Sequence, residues 1–340
     1  MDIETARDII TILPRGRTLF YYFPDRYAVY LLSRFIGGGM RISKVKSSPF
    51  AKLLRCRAIR PVVAAKGNGM LCGDDFAQCW AAQPECYLLT LGIWGPEKRS
   101  GWNHYYYQTS RPGVNLVLQL NFSSRHNEKY RKLIRPARRE GPFETRYHPI
   151  ARHGFHTLAW ARLDIDLESG EALVEEVQTD WLRYAHDAKL HADRLIMERL
   201  TARMREAEGA NTADEGNAQA AVQGLRYGGA EIDPIAMREY FDEVLHTHIP
   251  IWDEALLTAV IDFVVRELGL RTIYYHDFDC GCRLKNISRR LPPRRLYSRL
   301  PARFCFRRTD TPPAFLEDSP TRTFRTLKRA GGLRFWRLSL

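Results

Sequence analysis

The chain has 340 residues, of which 45% are hydrophobic, and this allows two domains or one large decorated domain with a sizeable core. A formal net charge of +13 favours an anionic partner, such as nucleic acid, a phosphorylated small molecule or an acidic membrane surface, without choosing among them. The seven cysteines lack disulfide-framework spacing and no signal-peptide pattern follows Met1, so the sequence excludes a disulfide scaffold and predicts a cytoplasmic setting.

Residues 1–70 are predicted to form a basic helical region. Helical spacing marks residues 3–13, and an apolar stripe predicts a second helix at 26–35. The triple glycine at 37–39 lacks the P-loop lysine, so it indicates a helix end rather than a phosphate loop. Charged residues interrupt the apolar run at 18–36, which excludes a membrane span there.

The cysteines carry no zinc-site signature. Cys72, Cys79 and Cys86 recur every seven residues, and Cys280 and Cys282 form a close pair. Zinc sites usually combine Cys-x-x-Cys pairs or Cys/His sets, so the spacing is better explained as one side of a helix. No metal is expected.

Residues 71–310 predict an α/β (α+β) core with a central, mainly antiparallel sheet flanked by helices. The predicted strands are 87–94, 114–122, 157–167 and 172–178. A turn at Glu168-Ser169-Gly170 is too short for a crossover, so the last two strands are expected to be antiparallel neighbours.

Three amide side chains share one face of the strand at 114–122. They are Asn115, Gln119 and Asn121, and Gln108 and Arg111 precede them. The pattern predicts the polar wall of a substrate-binding pocket. The alternative is an exposed edge or a half-open sheet face.

An acidic and amide cluster ends the strand at 172–178, at Glu175, Glu176, Gln178 and Asp180, and Trp181 closes it. Crowded carboxylates at a strand-to-helix junction predict a functional centre, because they repel one another unless cations or protons relieve them. The three acids are the catalytic candidates, while the glutamine and the tryptophan are candidates for substrate binding. The alternative is a structural ion pair with an arginine.

Two arginines are the expected partners of these carboxylates. One is Arg111, and the other is Arg162, provided that its strand pairs in register. In the strand at 157–167, the apolar face that begins at Ala159 is predicted to be the buried one.

After Trp181 the pattern predicts a helix at 182–207, a flexible insert at about 208–231, a helix at 251–268 and a strand at 271–275. The last two elements form a helix–Gly–strand unit that is typical of an α/β connection.

Residues 283–308 contain ten Lys and Arg residues and no acid, and the tail at 311–340 is also basic. A short strand is predicted at 303–307. The candidate anion-binding residues are Arg289, Arg290, Arg294 and Arg295. The density of charge with interleaved aromatic residues predicts an anionic ligand or nucleic acid, and the alternative is a solvated face.

The run Glu175-Glu176-Val177-Gln178-Thr179-Asp180-Trp181 follows two strands and an acidic turn. It resembles the EEIQSDW-type domain of large polyvalent proteins of phages and mobile elements. The resemblance covers roughly residues 110–310 and implies no particular activity.

The strand, helix and strand order that leads to Leu296-Tyr297 is similar to the second half of GNAT acyltransferases. This resemblance implies acyl-CoA as the cofactor and Tyr297 as a catalytic residue near the leaving thiol. The glycine-bearing pyrophosphate loop of that family has no counterpart at 178–182, where Asp180 would repel phosphate.

Three functions therefore remain open: a GNAT-like transferase with Glu175 or Glu176 as general base, a nucleic-acid-associated module, and a non-catalytic ligand or protein-interaction domain. A cavity that joins Glu176, Gln178 and Asn115 would favour the first, and a continuous basic surface the second. A large exposed apolar patch would favour the third. The sequence does not indicate an oligomeric state.

Overall fold

The computed structural model describes residues 1–13, 17–95, 107–136, 141–145, 147–151, 154–207, 224–289, 291–317, 319 and 321–340. They form two compact units, each built from segments that are distant in sequence. The first contains Met1–Leu120, Trp160–Gln178 and Asp253–Leu340, and the second contains Asn121–Ala159 and Thr179–Trp252. The predicted boundaries near residues 70 and 310 both fall inside the first unit.

The helices of the described residues are α1 (Ile3–Ile10), α2 (Arg26–Ile36), α3 (Ile42–Lys46), α4 (Arg60–Ala64), α5 (Ser124–Ile134), α6 (Trp181–Ala207), α7 (Pro234–Glu239), α8 (Trp252–Asp262), α9 (Phe278–Leu284), α10 (Arg294–Arg303), α11 (Ala314–Glu317) and α12 (Arg322–Arg329). Short π-helical turns follow α7 and α8, at Tyr240–Val244 and Phe263–Glu267. Within the described ranges, no helix combines the length and the apolar character that crossing a membrane requires.

The strands are β1 (Arg17–Tyr22), β2 (Met40–Arg41), β3 (Met70–Leu71), β4 (Glu85–Trp94), β5 (Asn115–Phe122), β6 (Thr157–Asp166), β7 (Glu171–Gln178), β8 (Leu225–Tyr227), β9 (Ala230–Ile232), β10 (Thr272–His276), β11 (Arg307–Thr309) and β12 (Phe335–Ser339). Eight of them form one sheet in the order β1-β4-β5-β6-β7-β10-β12-β11. Strands β2 and β3 pair separately, as do β8 and β9.

The large sheet is mixed. The pairs β1–β4, β6–β7, β10–β12 and β11–β12 are antiparallel, whereas β7 and β10 are parallel. Helices flank this sheet, so the predicted α/β class is confirmed. The parallel pair arises because α8 and its π-helical turn carry the chain back before Gly269, at φ 71°, redirects it into β10. The predicted helix–Gly–strand unit is therefore present.

Strands β6 and β7 are antiparallel neighbours, as the short turn predicts. Gly170 has φ 69°, a conformation that glycine adopts without steric cost. The register places Arg162 opposite Glu176, and a bulge follows between Arg162 and Leu163. The arginine thus lies directly across from one of the two adjacent glutamates.

The apolar face of β6 is buried, as predicted, but the opposite face is buried as well. Trp160, Arg162 and Asp164 are as buried as the apolar residues that alternate with them. Leu167, predicted to belong to the buried face, lies beyond the strand and is half exposed. A strand covered on both faces needs partners for every polar side chain that it carries.

The cysteine prediction was also wrong. Cys72 precedes a 3-10 turn at Gly73–Phe76, Cys79 follows that turn, and Cys86 lies in β4, so the three do not share a helix. Cys72 instead takes part in capping the turn, where its backbone N–H donates to Asp75. The seven-residue spacing therefore reflects no single element.

The strand predicted at 303–307 was wrong as well. Arg303 ends α10, and the backbone N–H of Phe304 donates to Leu300 as the cap of that helix. Cys305 then takes φ 65°, and β11 begins only at Arg307. Phe304 and Phe306, the alternating apolar residues, are buried where the helix ends and not within a strand.

Part of the insert predicted to be flexible is ordered. Residues 208–223 lie outside the described ranges, but β8 and β9 form a hairpin within the remainder. Its turn residues Gly228 and Gly229 have φ 55° and 80°, the positive values that a tight two-residue hairpin turn requires.

An aromatic cluster fills the core of the second unit. Trp181, at the start of α6, contacts the rings of Phe122, Tyr130 and Phe143. Its indole N–H donates to the Tyr240 hydroxyl at 2.8 Å, which satisfies the one polar group of the buried tryptophan. Trp181 therefore has a structural role as the anchor of α6.

Candidate functional site

Six buried polar side chains of the first unit surround the end of β7. We call them the buried charge cluster: Ser110, Arg162, Glu175, Glu176, His276 and Lys285. The two glutamates lie in β7, the arginine in β6, the histidine at the end of β10 and the lysine just after α9. The cluster forms because neighbouring strands of one sheet bring these positions together.

Both carboxylate oxygens of Glu175 are engaged. The backbone N–H of Ser110 donates to Oε1 at 2.9 Å, and the Ser110 hydroxyl donates to Oε2 at 2.9 Å. Nε2 of His276 lies 3.0 Å from the same Oε2 and 2.8 Å from the Ser110 oxygen. A carboxylate with no exposed surface and this many partners is held in one position.

This arrangement differs from a nucleophilic triad. In a triad the serine and the acid contact opposite nitrogens of the histidine. Here both contact Nε2, while Nδ1 of His276 is buried with no hydrogen-bond partner among the described residues. The histidine therefore cannot pass a proton from Ser110 to Glu175.

Burial raises the pKa of Glu175, but the hydrogen bond from His276 and the charges of Lys285 and Arg162 outweigh it, and the pKa falls to about 2. Burial lowers the pKa of His276 from its ordinary value of 6.5, an effect that Glu175 opposes. The pair is accordingly an ionised glutamate with a neutral histidine that donates from Nε2.

Both shifts act on stability in the same direction. The Glu175 carboxylate stabilises the fold above its ordinary pKa of 4.5, and this stabilisation is lost as the pH falls towards 2. The pKa of His276 is lowered on folding. As the pH falls below 6.5, this histidine is therefore protonated in the unfolded chain before it is protonated in the folded chain. Acid therefore favours unfolding through both groups.

Helix α9 contributes in two ways, through Lys285 of the cluster and through Gly281, which packs against it. Lys285 donates from Nζ to the Glu175 carbonyl at 2.5 Å, and burial lowers its pKa while the carboxylates of Glu176 and Glu175 oppose that shift. Gly281 packs directly against His276, where an added Cβ would lie 2.8 Å from the histidine Cβ. Only glycine fits at this position without displacing the histidine.

Glu176 and Arg162 form the second part of the cluster. Arg162 donates to Glu176 Oε2 from Nε at 3.0 Å and also from its terminal nitrogen. It also donates to the backbone carbonyls of Tyr107, at 2.6 Å, and Gln108, at 3.2 Å. The predicted pairing of Arg162 with an acid at the strand end is thus present.

The corresponding prediction for Arg111 was wrong. Its guanidinium pairs with Asp164 on β6, with Nε at 2.7 Å and a terminal nitrogen at 3.0 Å from the carboxylate. Arg111 also lies over the Phe315 ring. Asp164 is buried, and a buried carboxylate needs a cationic partner of this kind.

The other candidates at the strand end are not part of the cluster. Asp180 belongs to the second unit, where its carboxylate contacts His148 at 2.7 Å and Arg183 at 2.6 Å. Gln178 is half-buried at the end of β7 in the first unit. The motif is therefore divided between the two units after Gln178.

The amides of β5 are fully buried, so the alternative of an exposed sheet face was wrong. Gln119 accepts a hydrogen bond from Thr90 at 2.6 Å within the first unit, and Asn121 accepts one from Thr157 at 2.8 Å within the second. The side-chain oxygen of Asn115 is buried without a partner among the described residues.

A surface pocket of about 580 Å³ lies elsewhere in the first unit, and we call it the arginine pocket. Its lining residues are Cys282, Arg283, Asn286, Ile287, Ser288, Arg322, Thr323, Thr326 and Leu327. No acidic residue lines it, and neither arginine forms an ion pair within the described part of the chain.

A second pocket, of about 300 Å³, adjoins the end of β10, and we call it the tyrosine pocket. Its lining residues are Asp277, Phe278, Asp279, Arg294, Tyr297, Ser298, Arg308, Arg334 and Phe335. Lys285 of the buried charge cluster lies 5.6 Å from the ring of Tyr297. Neither the acids of β7 nor the amides of β5 line either pocket.

Three members of the buried charge cluster were missed by the sequence analysis. His276 lies just after a predicted strand, and the pairing of β10 with β7 brings it to Glu175. Ser110 reaches Glu175 from the segment before β5. Lys285 was counted in the basic surface run, yet it is almost fully buried. One feature of the sequence could have indicated a buried polar cluster here, namely the position of His276 at the end of a predicted central strand.

We expect Glu176→Gln to destabilise the protein by about 3–5 kcal/mol, because it leaves the buried charge of Arg162 without its carboxylate. The measurement is the free energy of unfolding from urea denaturation. Glu168→Gln, at an exposed turn position, is the matched control and should change stability by less than about 0.5 kcal/mol. Equal effects of the two substitutions would show that the ion pair is not structural.

Comparison of the chain with family models, with curated proteins and with solved structures gave no match. The two resemblances of the sequence, to the EEIQSDW-type domain and to GNAT acyltransferases, therefore remain proposals.

Proposed function

We propose that this chain binds nucleic acid through phosphate contacts made by its basic C-terminal residues. The arginine pocket is the observation that carries the proposal. A guanidinium offers two parallel N–H donors that match a phosphate, and Arg283 and Arg322 line one concave surface that holds no competing carboxylate. The pocket volume of about 580 Å³ is within the usual range for a bound ligand.

The residues around this pocket extend the positive charge. Helix α9 contacts both α10 and α12, which carry many of the exposed cations. The exposed arginines and lysine from α9 to β12 are Arg283, Arg289, Arg294, Arg295, Arg299, Arg303, Arg307, Arg308, Arg322, Arg325, Lys328, Arg329, Arg334 and Arg337. Arg290, the remaining predicted anion-binding residue, lies outside the described residues.

Helix α12 shows how this charge is presented. Phe324 and Leu327 are its buried residues, while the arginines and the lysine of the helix are exposed. Three of the exposed cations have acidic partners: Arg303 pairs with Glu254, Lys328 with Glu317 and Arg294 with Asp279. The other exposed cations are spread over several elements, and this supports a partner with many phosphates rather than a single small anion.

The double substitution Arg283→Glu/Arg322→Glu should weaken binding to a single-stranded oligonucleotide by at least about tenfold at low salt. In a plot of the logarithm of the binding constant against the logarithm of salt concentration, the slope should become less steep by about one unit for each lost phosphate contact. The measurement is fluorescence anisotropy with labelled DNA and RNA, from about 50 to about 200 mM salt.

The matched control is Arg7→Glu/Arg226→Glu, which makes the same change in net charge at exposed positions outside this region. It should leave the affinity within about twofold of the unchanged protein at the higher salt concentration, where long-range effects are screened. Equal loss in both variants, or no binding to DNA or RNA at low salt, would contradict the proposal.

A GNAT-like acyl transfer is the second candidate, and the tyrosine pocket favours it. Tyr297 lines that pocket from α10, and burial raises the pKa of its hydroxyl well above its usual value, so the group stays protonated. Its oxygen has no hydrogen-bond partner among the described residues. A protonated hydroxyl can donate to a leaving thiolate, which is the role that the GNAT resemblance implies for Tyr297.

For this candidate, Tyr297→Phe should keep acetyl-CoA binding, measured by calorimetry, while slowing thiol release from acetyl-CoA by about 10²-fold or more. Tyr275→Phe is the control, because Tyr275 is also buried with an unpartnered hydroxyl but does not line the pocket. Absence of acetyl-CoA binding, or equal rates in the two variants, would rule out this activity.

A further inference from the structure

The net positive charge of the chain lies almost entirely in the first unit. That unit contains 35 Lys and Arg residues against 23 Asp and Glu residues, whereas the second unit contains 17 against 16. Two tracts of the first unit, residues 26–73 and 280–309, contain ten Lys and Arg residues each and no acid. The second tract contributes to the arginine pocket, so the first is a further source of positive charge in the same unit.

The first tract places most of its cations on the surface. Helices α3 and α4 both contact a 3-10 turn at Ala51–Arg55, so these three short elements are packed together. Lys66, late in the tract, pairs with Asp75. Seven exposed cations before it form no ion pair within the described ranges, and we call them the N-terminal basic surface: Arg41, Lys44, Lys46, Lys52, Arg55, Arg57 and Arg60.

Helix α10 connects this surface to the arginine pocket. At its start, Arg294 lies over the Phe278 ring of α9, 4.1 Å from the ring centre, and α9 supplies Arg283 to the pocket. At its end, Lys52 of the N-terminal basic surface donates from Nζ to the carbonyl of Ala302. The helix is about 15 Å long, so it spans the distance from α9 to the basic surface in a single element.

A row of arginines lies along α10 between these two ends. Arg295, Arg299 and Arg303 are exposed and four residues apart, which places them on one side of the helix at intervals of about 6 Å along its axis. Arg303 pairs with Glu254, whereas Arg295 and Arg299 have no carboxylate partner in the described part of the chain. Positive charge therefore continues along the whole length of the helix.

We propose that the N-terminal basic surface and the arginine row of α10 extend the arginine pocket into one track for a nucleic-acid strand. This inference rests on the proposed function, and it specifies the partner as a strand long enough to pass from the pocket over α10. Cations at regular intervals suit a backbone that carries a phosphate at every nucleotide. Each neutralised phosphate releases counterions, so the added contacts increase affinity without reading the base sequence.

A nucleic-acid strand fits the N-terminal basic surface better than an anionic membrane does. Binding at a lipid interface depends on buried apolar area as well as on charge. Residues 26–66 are all described, and none of their large hydrophobic side chains is exposed. The surface thus offers phosphate contacts without an apolar anchor.

The test compares two labelled single-stranded oligonucleotides, of about 20 and about three nucleotides, by fluorescence anisotropy at low salt. Arg55→Glu/Arg60→Glu should weaken binding of the longer strand by at least about tenfold, because it removes phosphate contacts beyond the pocket. The shorter strand spans only about 10 Å at 3.4 Å per nucleotide, so its binding should depend on Arg283 and Arg322 but not on these two positions.

Arg7→Glu/Arg226→Glu is again the control for net charge, and it should change the affinity for the longer strand far less than Arg55→Glu/Arg60→Glu does. A second variant of the same surface, Lys44→Glu/Lys46→Glu, alters exposed positions of α3 and should weaken binding of the longer strand as well. All variants are checked for an unchanged circular dichroism spectrum before comparison.

Three results would overturn the inference. If the unchanged protein binds neither DNA nor RNA, the proposed function fails and the track fails with it. If Arg283→Glu/Arg322→Glu weakens binding of the longer strand while Arg55→Glu/Arg60→Glu acts only as the control does, the track is absent and the proposed function stands. Binding to phosphatidylserine vesicles that depends on Arg55 and Arg60, with unchanged affinity for the longer strand, would assign the surface to a membrane.

Discussion

Burial of charge at the end of β7 is the constraint on which the first unit depends. Glu175 and Glu176 are consecutive in a strand, so their side chains leave on opposite faces of the sheet. Both faces are covered, and each carboxylate therefore needs its own partners inside the protein. An unpaired buried charge costs several kcal/mol, which is a large fraction of the stability of a typical domain.

The partners come from every element packed around β7. Arg162 lies opposite Glu176 on β6, and Ser110, His276 and Lys285 converge on Glu175 from the segment before β5, from β10 and from the end of α9. The cluster thus ties the neighbouring strands together. Groups that are held in this way and closed to solvent stabilise a fold. Exposed arginines line the arginine pocket and the tyrosine pocket instead.

Local patterns in the sequence predicted the parts of the fold that depend on neighbours along the chain. The alternation of β6 and β7 and the short turn at Gly170 were enough to predict their antiparallel pairing. With that register, Arg162 was expected to pair with an acid at the strand end, and the structure shows that this acid is Glu176. The parallel pairing of β7 with β10 joins residues about a hundred positions apart, so nothing local indicated that His276 meets Glu175. Lys285 was misassigned because a buried lysine has the same sequence signature as an exposed one within a basic run.

The measurement that tests the central claim most directly is the titration of the Glu175 carboxyl carbon by NMR, assigned by comparison with the Glu175→Gln variant. A buried carboxylate held by Ser110 and His276 should have a pKa of about 2 and remain ionised from neutral pH down to the onset of acid unfolding. A midpoint at or above 4.5, the ordinary value for glutamate, in the folded protein would contradict the account.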